Sequence, residues 1–252
     1  MAAREVEFAQ VSFTAPGGHR ILRDVSLRVA AGTTTALLGR SGSGKTTQLR
    51  TVNGLVRPTG GRVLVGGGDV AALDEAGLSG LRRGVGYVIQ ETGLFPHMTL
   101  ERNVGIALEL AGTDKGETAA LCAEMLALVG LDVGMASRYP WQLSGGQRQR
   151  AGLARALAAE PSVLLMDEPF GALDPITRAE MQTMLRPLLK RLGVTTILVT
   201  HDLDEALYLA DRVVLLEQGS IVAEMAAGEV RSSPNEAMRS YVAATTRREG
   251  DD

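Results

Sequence analysis

The chain has almost no cysteine, no long apolar run and no excess of either charge. Cys122 is its only cysteine, so an internal disulfide cannot form and the cytoplasm is the expected compartment. It lies in Leu121-Cys122-Ala123-Glu124-Met125-Leu126, an apolar helical pattern that predicts a buried thiol rather than a reactive one. No apolar stretch approaches the ~20 residues of a spanning helix. The opening Met1-Ala2-Ala3-Arg4-Glu5-Val6-Glu7 lacks the apolar core of a signal peptide. Any membrane role is therefore expected to come through a partner. A net charge of −3 and a pI near 5.7 carry no footprint of a general nucleic-acid or anionic-membrane binder. Repeats and long charged coiled coils are missing as well. What is present is 252 residues with 45% hydrophobic content, enough for one sizeable core or two small domains.

The order of elements reads as α/β. Val6, Phe8, Val11 and Phe13, then the alternating Asp24-Val25-Ser26-Leu27-Arg28-Val29, predict short N-terminal strands with a turn at Pro16-Gly17-Gly18. Thr33–Leu38 is an apolar, β-branched strand that runs into a glycine loop. A helix is expected from Lys45 to about Val56, stopped by Pro58-Thr59-Gly60-Gly61. Arg62-Val63-Leu64-Val65 and Gly86-Tyr87-Val88-Ile89 are further strands. Residues 91–150 turn mostly helical, Glu117–Val129 for example, and read as a helical insertion. Gly145–Glu160 is a helix and Val163–Met166 a buried strand. Asp174-Pro175 caps the next helix, which Pro187 is expected to kink or cut short. Val194–Thr200 and Arg212–Leu216 complete the strands, and residues 241–252 read as a disordered tail.

Three strings carry the chemistry. Gly39-Arg40-Ser41-Gly42-Ser43-Gly44-Lys45-Thr46-Thr47, between a strand and a helix, has the form of a phosphate-binding loop. Its glycines let backbone N–H groups turn toward an anion, and the helix adds its positive end. Lys45 adds a full charge for the β and γ phosphates, and the Thr46 hydroxyl is a ligand for Mg²⁺. Val163-Leu164-Leu165-Met166-Asp167-Glu168 is an apolar strand ending in two acids. Asp167 is placed to hold Mg²⁺ and Glu168 to polarise an attacking water. Leu143-Ser144-Gly145-Gly146-Gln147 pairs a serine hydroxyl with two bare amides at a helix start, a second anion-binding device. One chain holding one nucleotide does not need two such devices, whereas a head-to-tail dimer does.

Together these strings resemble the ATP-binding subunit of an ABC transporter, over about residues 4–230. The resemblance implies a P-loop NTPase core with an N-terminal antiparallel β subdomain and a helical insertion subdomain, one ATPase domain over residues 1–240. It implies ATP and Mg²⁺ as cofactors, with Gln90 reaching both Mg²⁺ and the attacking water. Ala172-Leu173-Asp174 then resembles the D-loop that touches the opposite protomer, while also capping a helix. His201, after Thr196-Ile197-Leu198-Val199-Thr200, resembles the switch histidine at the γ-phosphate. Related sequences often read Phe-x-Tyr-Pro near the start, with the tyrosine stacked on adenine. Phe13-Thr14-Ala15-Pro16 departs from this, leaving Phe13 either as a substitute ring or as core.

Tyr87–Thr99 and Met166–Arg178, with Arg138-Tyr139-Pro140, are similar to the importer ATPases for glycine betaine, carnitine, choline and related osmoprotectants. That similarity implies a second copy of the chain, an integral membrane permease, an external solute-binding protein reached indirectly, and no nucleic acid. The subunit would be peripheral on the cytoplasmic face of the inner membrane. Ser144, Gly145, Gly146 and Gln147 of one copy would complete the nucleotide site of the other. Leu94, Phe95, Pro96 and Met98 would dock a coupling helix of the permease, pack the insertion, or both. The C-terminal regulatory pair of some members is expected to be absent.

Overall fold

The computed structural model describes residues 2–90 and 92–246. In chain order the elements are β1 (Val6–Thr14), β2 (Arg20–Val29), β3 (Thr34–Leu38), α1 (Lys45–Val52), β4 (Gly60–Val65), β5 (Gly68–Asp69), α2 (Glu75–Arg83), β6 (Val85–Val88), α3 (Leu100–Leu110), α4 (Lys115–Leu128), α5 (Gly145–Leu157), β7 (Val163–Asp167), α6 (Pro175–Leu192), β8 (Thr195–Val199), α7 (Leu203–Leu209), β9 (Arg212–Glu217), β10 (Ser220–Ala226) and α8 (Glu236–Thr246). They fall into two compact units, one of Arg4–Leu78 with the segment from Thr195 onward, the other built on Ser79–Val194. The second is broader than the expected insertion at 91–150, since it also takes in β6, β7 and α6.

In the first unit, antiparallel strands run in the order β2-β1-β4-β5. Leu22, Val25, Leu27 and Val29 are the buried positions of β2. The register slips between Phe8 and Val11, where Gln10 takes φ 52°, and Asp24 on β2 takes φ 50°. A second sheet places β3 between parallel β8 and β9, with β10 antiparallel on β9. All five residues of β3 and of β8 are buried, which explains their apolar and β-branched sequences. The glycine loop therefore starts at the carboxyl end of a central strand, the usual place for a ligand in such sheets. Helix α1 ends at Val52, not near Val56. Gly54 turns left-handed at φ 66°, and the Leu55 and Val56 amides donate back to the Arg50 carbonyl, so the stop precedes Pro58.

The C-terminal expectation needs correction. Residues 241–246 lie in α8, and only 247–252 of the expected tail lie outside the described residues. The Asn235 side chain accepts from the Met238 amide at 3.0 Å and starts the helix. Met238 is buried in a cluster with Ala36, Leu38, Val213 and Leu215, and Tyr241 and Val242 pack on it at helical spacing. Packing outweighs the polar, small-residue composition that reads as disorder.

In the second unit β6 and β7 pair in parallel, and α3, α4 and α5 pack together. A side chain on Gly105 of α3 would meet Thr118 Cγ2 at 2.7 Å and Cys122 Sγ at 2.9 Å, so glycine permits the close approach to α4. Cys122 is buried and donates weakly to the Glu101 carbonyl at 3.3 Å. Burial pushes its thiol up to about 11, with Glu101 and Glu109 adding to the rise. Two decades above an ordinary thiol predict native alkylation at pH 8 about 100-fold slower than for a free cysteine. Iodoacetamide labelling within about 10-fold of the unfolded chain would contradict this burial. Pro187 does not end α6, which continues to Leu192. Pro187 is exposed while Leu185, Leu188 and Leu189 are buried, so apolar packing carries the helix past the missing N–H.

Candidate nucleotide site

Each motif has a geometry its sequence explains. In the first unit, Gly39, Gly42 and Gly44 all have positive φ, 148°, 78° and 102°. A Cβ on Gly39 would lie 2.3 Å from the Leu216 carbonyl oxygen and 2.7 Å from Ser43 Oγ, so no side chain fits. Lys45 is buried at the start of α1 and donates to the Gly39 carbonyl at 2.6 Å and the Arg40 carbonyl at 3.0 Å. Arg40, Ser41, Gly42 and Ser43 line a depression of about 430 Å³ together with Leu216, Glu217 and Gln218.

Two observations test whether the loop fits a phosphate. Helix α1 has glycine as its N-cap, no side-chain cap and no acid in its first turn. Helices α3, α4, α5, α6 and α7 each carry a capping Thr, Asp or Ser. The start of α1 thus keeps its positive end for an outside anion. Ser43 Oγ is also buried without a hydrogen-bond partner in the protein, a group that an outside acceptor would satisfy. The residues fit a nucleoside triphosphate. Thr46 and Thr47 occupy the first turn of α1.

His201 follows β8 on the same unit and is exposed. Its flank is fixed from three sides. Thr200 Oγ1 accepts from the Asp202 amide, Asp202 caps α7 through the Glu205 amide, and the Tyr241 hydroxyl donates to the His201 carbonyl at 3.0 Å. Tyr241 escapes a sequence reading because the contact spans 40 residues. Phe13 is half-buried on β1, consistent with either use of its ring, and Ala15 lies in the turn that follows.

In the second unit, Asp167 ends β7 buried, with the Tyr87 hydroxyl donating to its Oδ2 at 3.3 Å. Tyr87 is legible only as a strand residue, and no local signal marks this contact. Glu168 takes φ 46° and its carbonyl accepts from Gly171 in a tight turn. That left-handed turn sends its side chain off the strand direction, a strained conformation often kept at functional sites. Gln90 is exposed just beyond β6.

The second glycine loop is a capping box. Ser144 Oγ accepts from the Gln147 amide at 3.2 Å, and Gln147 Oε1 accepts from the Ser144 amide at 2.9 Å. The Gln147 side chain thus braces the loop, and the Ser144 hydroxyl keeps a proton to donate. A Cβ on Gly146 would meet Thr177 Cγ2 at 2.6 Å, so this glycine seats the loop against α6. The preceding Tyr139 and Trp141 rings stack 6.1 Å apart, with Trp141 70% exposed. Asp174 caps α6, and hydrogen bonds from the Thr177 hydroxyl and amide hold its carboxyl below the usual range.

The motifs' context is matched by a family comparison. The model of the family described as "ABC transporter" covers residues 22–171. The chain belongs to the ABC transporter family. Among curated family members it is 42% identical over 238 residues to the glycine betaine/carnitine/choline transport ATP-binding protein OpuCA of Bacillus subtilis, covering 94% of this chain and 62% of that one. It is 50% identical over 218 residues to the sulfate/thiosulfate import ATP-binding protein CysA 2 of Agrobacterium fabrum, covering 86% and 62%. The chain spans 55–69% of the length of these and other curated relatives it matches. A dimeric, post-hydrolysis structure of the ATP-binding cassette MJ0796 bound to ADP and Pi superposes with a TM-score of 0.81 at 33% identity, covering 88% of this chain and 98% of that one. The expected mixed α/β NTPase fold is therefore that of the family. Among the described residues, no helix is long and apolar enough to cross a membrane.

Proposed function

We propose that this chain hydrolyses ATP to drive uptake of a small solute through a separate integral membrane permease. The observation that carries the reading is the uncapped, acid-free start of α1 behind a loop whose three glycines all take positive φ and whose Gly39 leaves no room for a side chain. In this reading the loop from Gly39 to Thr47 holds the triphosphate and Lys45 neutralises its charge. Thr46, Asp167 and Gln90 would hold Mg²⁺, which supplies charge to the phosphate oxygens when bound. Among the described residues no three His, Cys, Asp or Glu cluster as a metal cage. Mg²⁺ held there would take a single carboxylate, Asp167, and complete its shell with phosphate and water. Glu168 takes a proton from the attacking water, which Gln90 also contacts, and His201 contacts the terminal phosphoryl group.

The enzyme acts as a head-to-tail dimer, with Ser144, Gly145 and Gly146 of one copy closing over nucleotide held by the other and Gln147 bracing them. Nucleotide then shifts a two-state equilibrium between closed and open forms. The permease docks near Leu94, Phe95, Pro96 and Met98, which places the subunit on the cytoplasmic face of the inner membrane. An external solute-binding protein delivers the solute, and nucleic acid has no part.

The solute class we favour is the quaternary amines, glycine betaine, carnitine and choline, on likeness to OpuCA across 94% of the chain. The higher identity to a sulfate importer over a shorter stretch supports a second reading, a different small solute. Uptake of radiolabelled betaine, carnitine, choline and sulfate by cells with and without the gene decides between them. Loss of at least one quaternary-amine uptake, about 10-fold or more, is expected. Loss of sulfate uptake alone would move the assignment to the second reading.

A further inference from the structure

Residues 92–99 are tied down by two side chains that the mechanism above does not use. On α5, Arg155 donates from Nη1 to the Gly93 carbonyl at 2.6 Å and from Nη2 to the Thr92 carbonyl at 2.8 Å. On α3, the wholly buried Asn103 accepts from the Phe95 amide at 2.7 Å. It also donates to the carbonyls of Phe95, Met98 and Thr99 at 3.1, 3.1 and 3.0 Å. Thr92 and Gly93 both sit in the left-handed region, at φ 58° and 57°. A chain held there by a guanidinium fork and a buried amide is not a loose connector. At its tip Phe95 is 40% exposed with His97 edge-on at 6.0 Å, and Pro96 is exposed.

We propose that Arg155 and Asn103 are positioning residues that make residues 92–99 a rigid strut, carrying movement of α5 to the exposed Phe95–Pro96 tip. The inference rests on the reading above, in which α5 presents Ser144 and Gly145 to a second copy and the tip meets the permease. The physical reason is that Arg155 rides on the helix that Ser144 opens. A flexible segment would absorb a displacement of α5, whereas a segment bonded to α5 and α3 at five backbone carbonyls and one amide moves with them. Burial lowers the Arg155 pKa, so its position costs solvation that its two carbonyl acceptors offset.

The test compares Arg155→Met, Arg155→Lys, Asn103→Leu and Asn103→Asp with the parent chain. ATP turnover is read for the isolated chain and for the chain in complex with its membrane subunit, and hydrogen exchange is followed over residues 92–99. Turnover of the isolated variants should stay within about two-fold, while stimulation by the membrane subunit falls about 10-fold or more. Arg155→Lys keeps the charge but not the fork, so it should fall with Arg155→Met. Asn103→Asp keeps the acceptor for the Phe95 amide but sets a buried carboxylate oxygen against three carbonyls, so it should fall with Asn103→Leu. Exchange at residues 92–99 should rise about 10-fold with the rest of the chain unchanged. Full stimulation in the variants, or isolated turnover falling as far as stimulated turnover, would overturn the strut. A parent chain that the membrane subunit does not stimulate would count against the function proposed above. In that case the exchange data decide alone, and unchanged exchange in the variants overturns the strut.

Discussion

Replacing Glu168 by glutamine is expected to lower ATP turnover about 10²–10⁴-fold while leaving ATP binding nearly intact. The change removes a proton acceptor and almost no volume, so the turn at Glu168 and the Gly171 contact survive it. The loss corresponds to about 3–5 kcal/mol of transition-state stabilisation. Because the closed state would no longer be emptied by hydrolysis, ATP should drive the variant into a dimer visible by light scattering. Turnover within about three-fold of the parent would remove Glu168 as the base. Loss of ATP binding along with turnover would mean that the left-handed turn needs the carboxylate for its conformation. The predicted pairing, binding kept and hydrolysis lost, separates the two.

What could be read from the sequence was whatever chemistry is local. Gly39 and Gly44 are legible because a positive φ within a strand–loop–helix sequence leaves few other residues possible. Asp174-Pro175 is legible because a cap and its helix are neighbours. β3, β7 and β8 are legible because full burial leaves continuous apolar runs. Contacts made across the chain are not legible. Tyr87 reaches Asp167 over 80 residues and Tyr241 reaches His201 over 40, and neither partner marks the other locally. Strand β10 was missed because Glu224 and the half-buried residues around it read as surface, though Arg212 on β9 pairs with Glu224 at 2.8 Å. Asn103 carried a faint signal, a polar residue on the stripe of Leu100, Val104 and Leu108. Tertiary packing decided the end of α6 and the existence of α8, where proline and composition alone pointed elsewhere, and a left-handed turn at Gly54 rather than Pro58 ended α1.

The second large effect is expected from mixing two inactive chains. Lys45→Ala removes the buried ammonium beside the phosphate loop, and turnover should fall about 100-fold or more. Ser144→Arg replaces the N-cap of α5 with a long cation where a neighbour's nucleotide is proposed to sit, and should be as inactive. Alone, the second result is ambiguous, because it also breaks the capping box with Gln147. Mixing resolves it. In a head-to-tail dimer of one chain of each kind, one site unites both lesions and the other has an intact Lys45 and an intact Ser144. Equal mixing makes half of all dimers of this kind, so about a quarter of the sites should work again. A Ser144→Arg chain that had lost its fold could not lend a working phosphate loop, so recovery also shows that it folds. With the fold of the Ser144→Arg chain checked by circular dichroism, a mixture no more active than the sum of its parts would mean that the two lesions do not complement across a dimer. The proposal that Ser144 acts on a neighbour's phosphate would then be wrong.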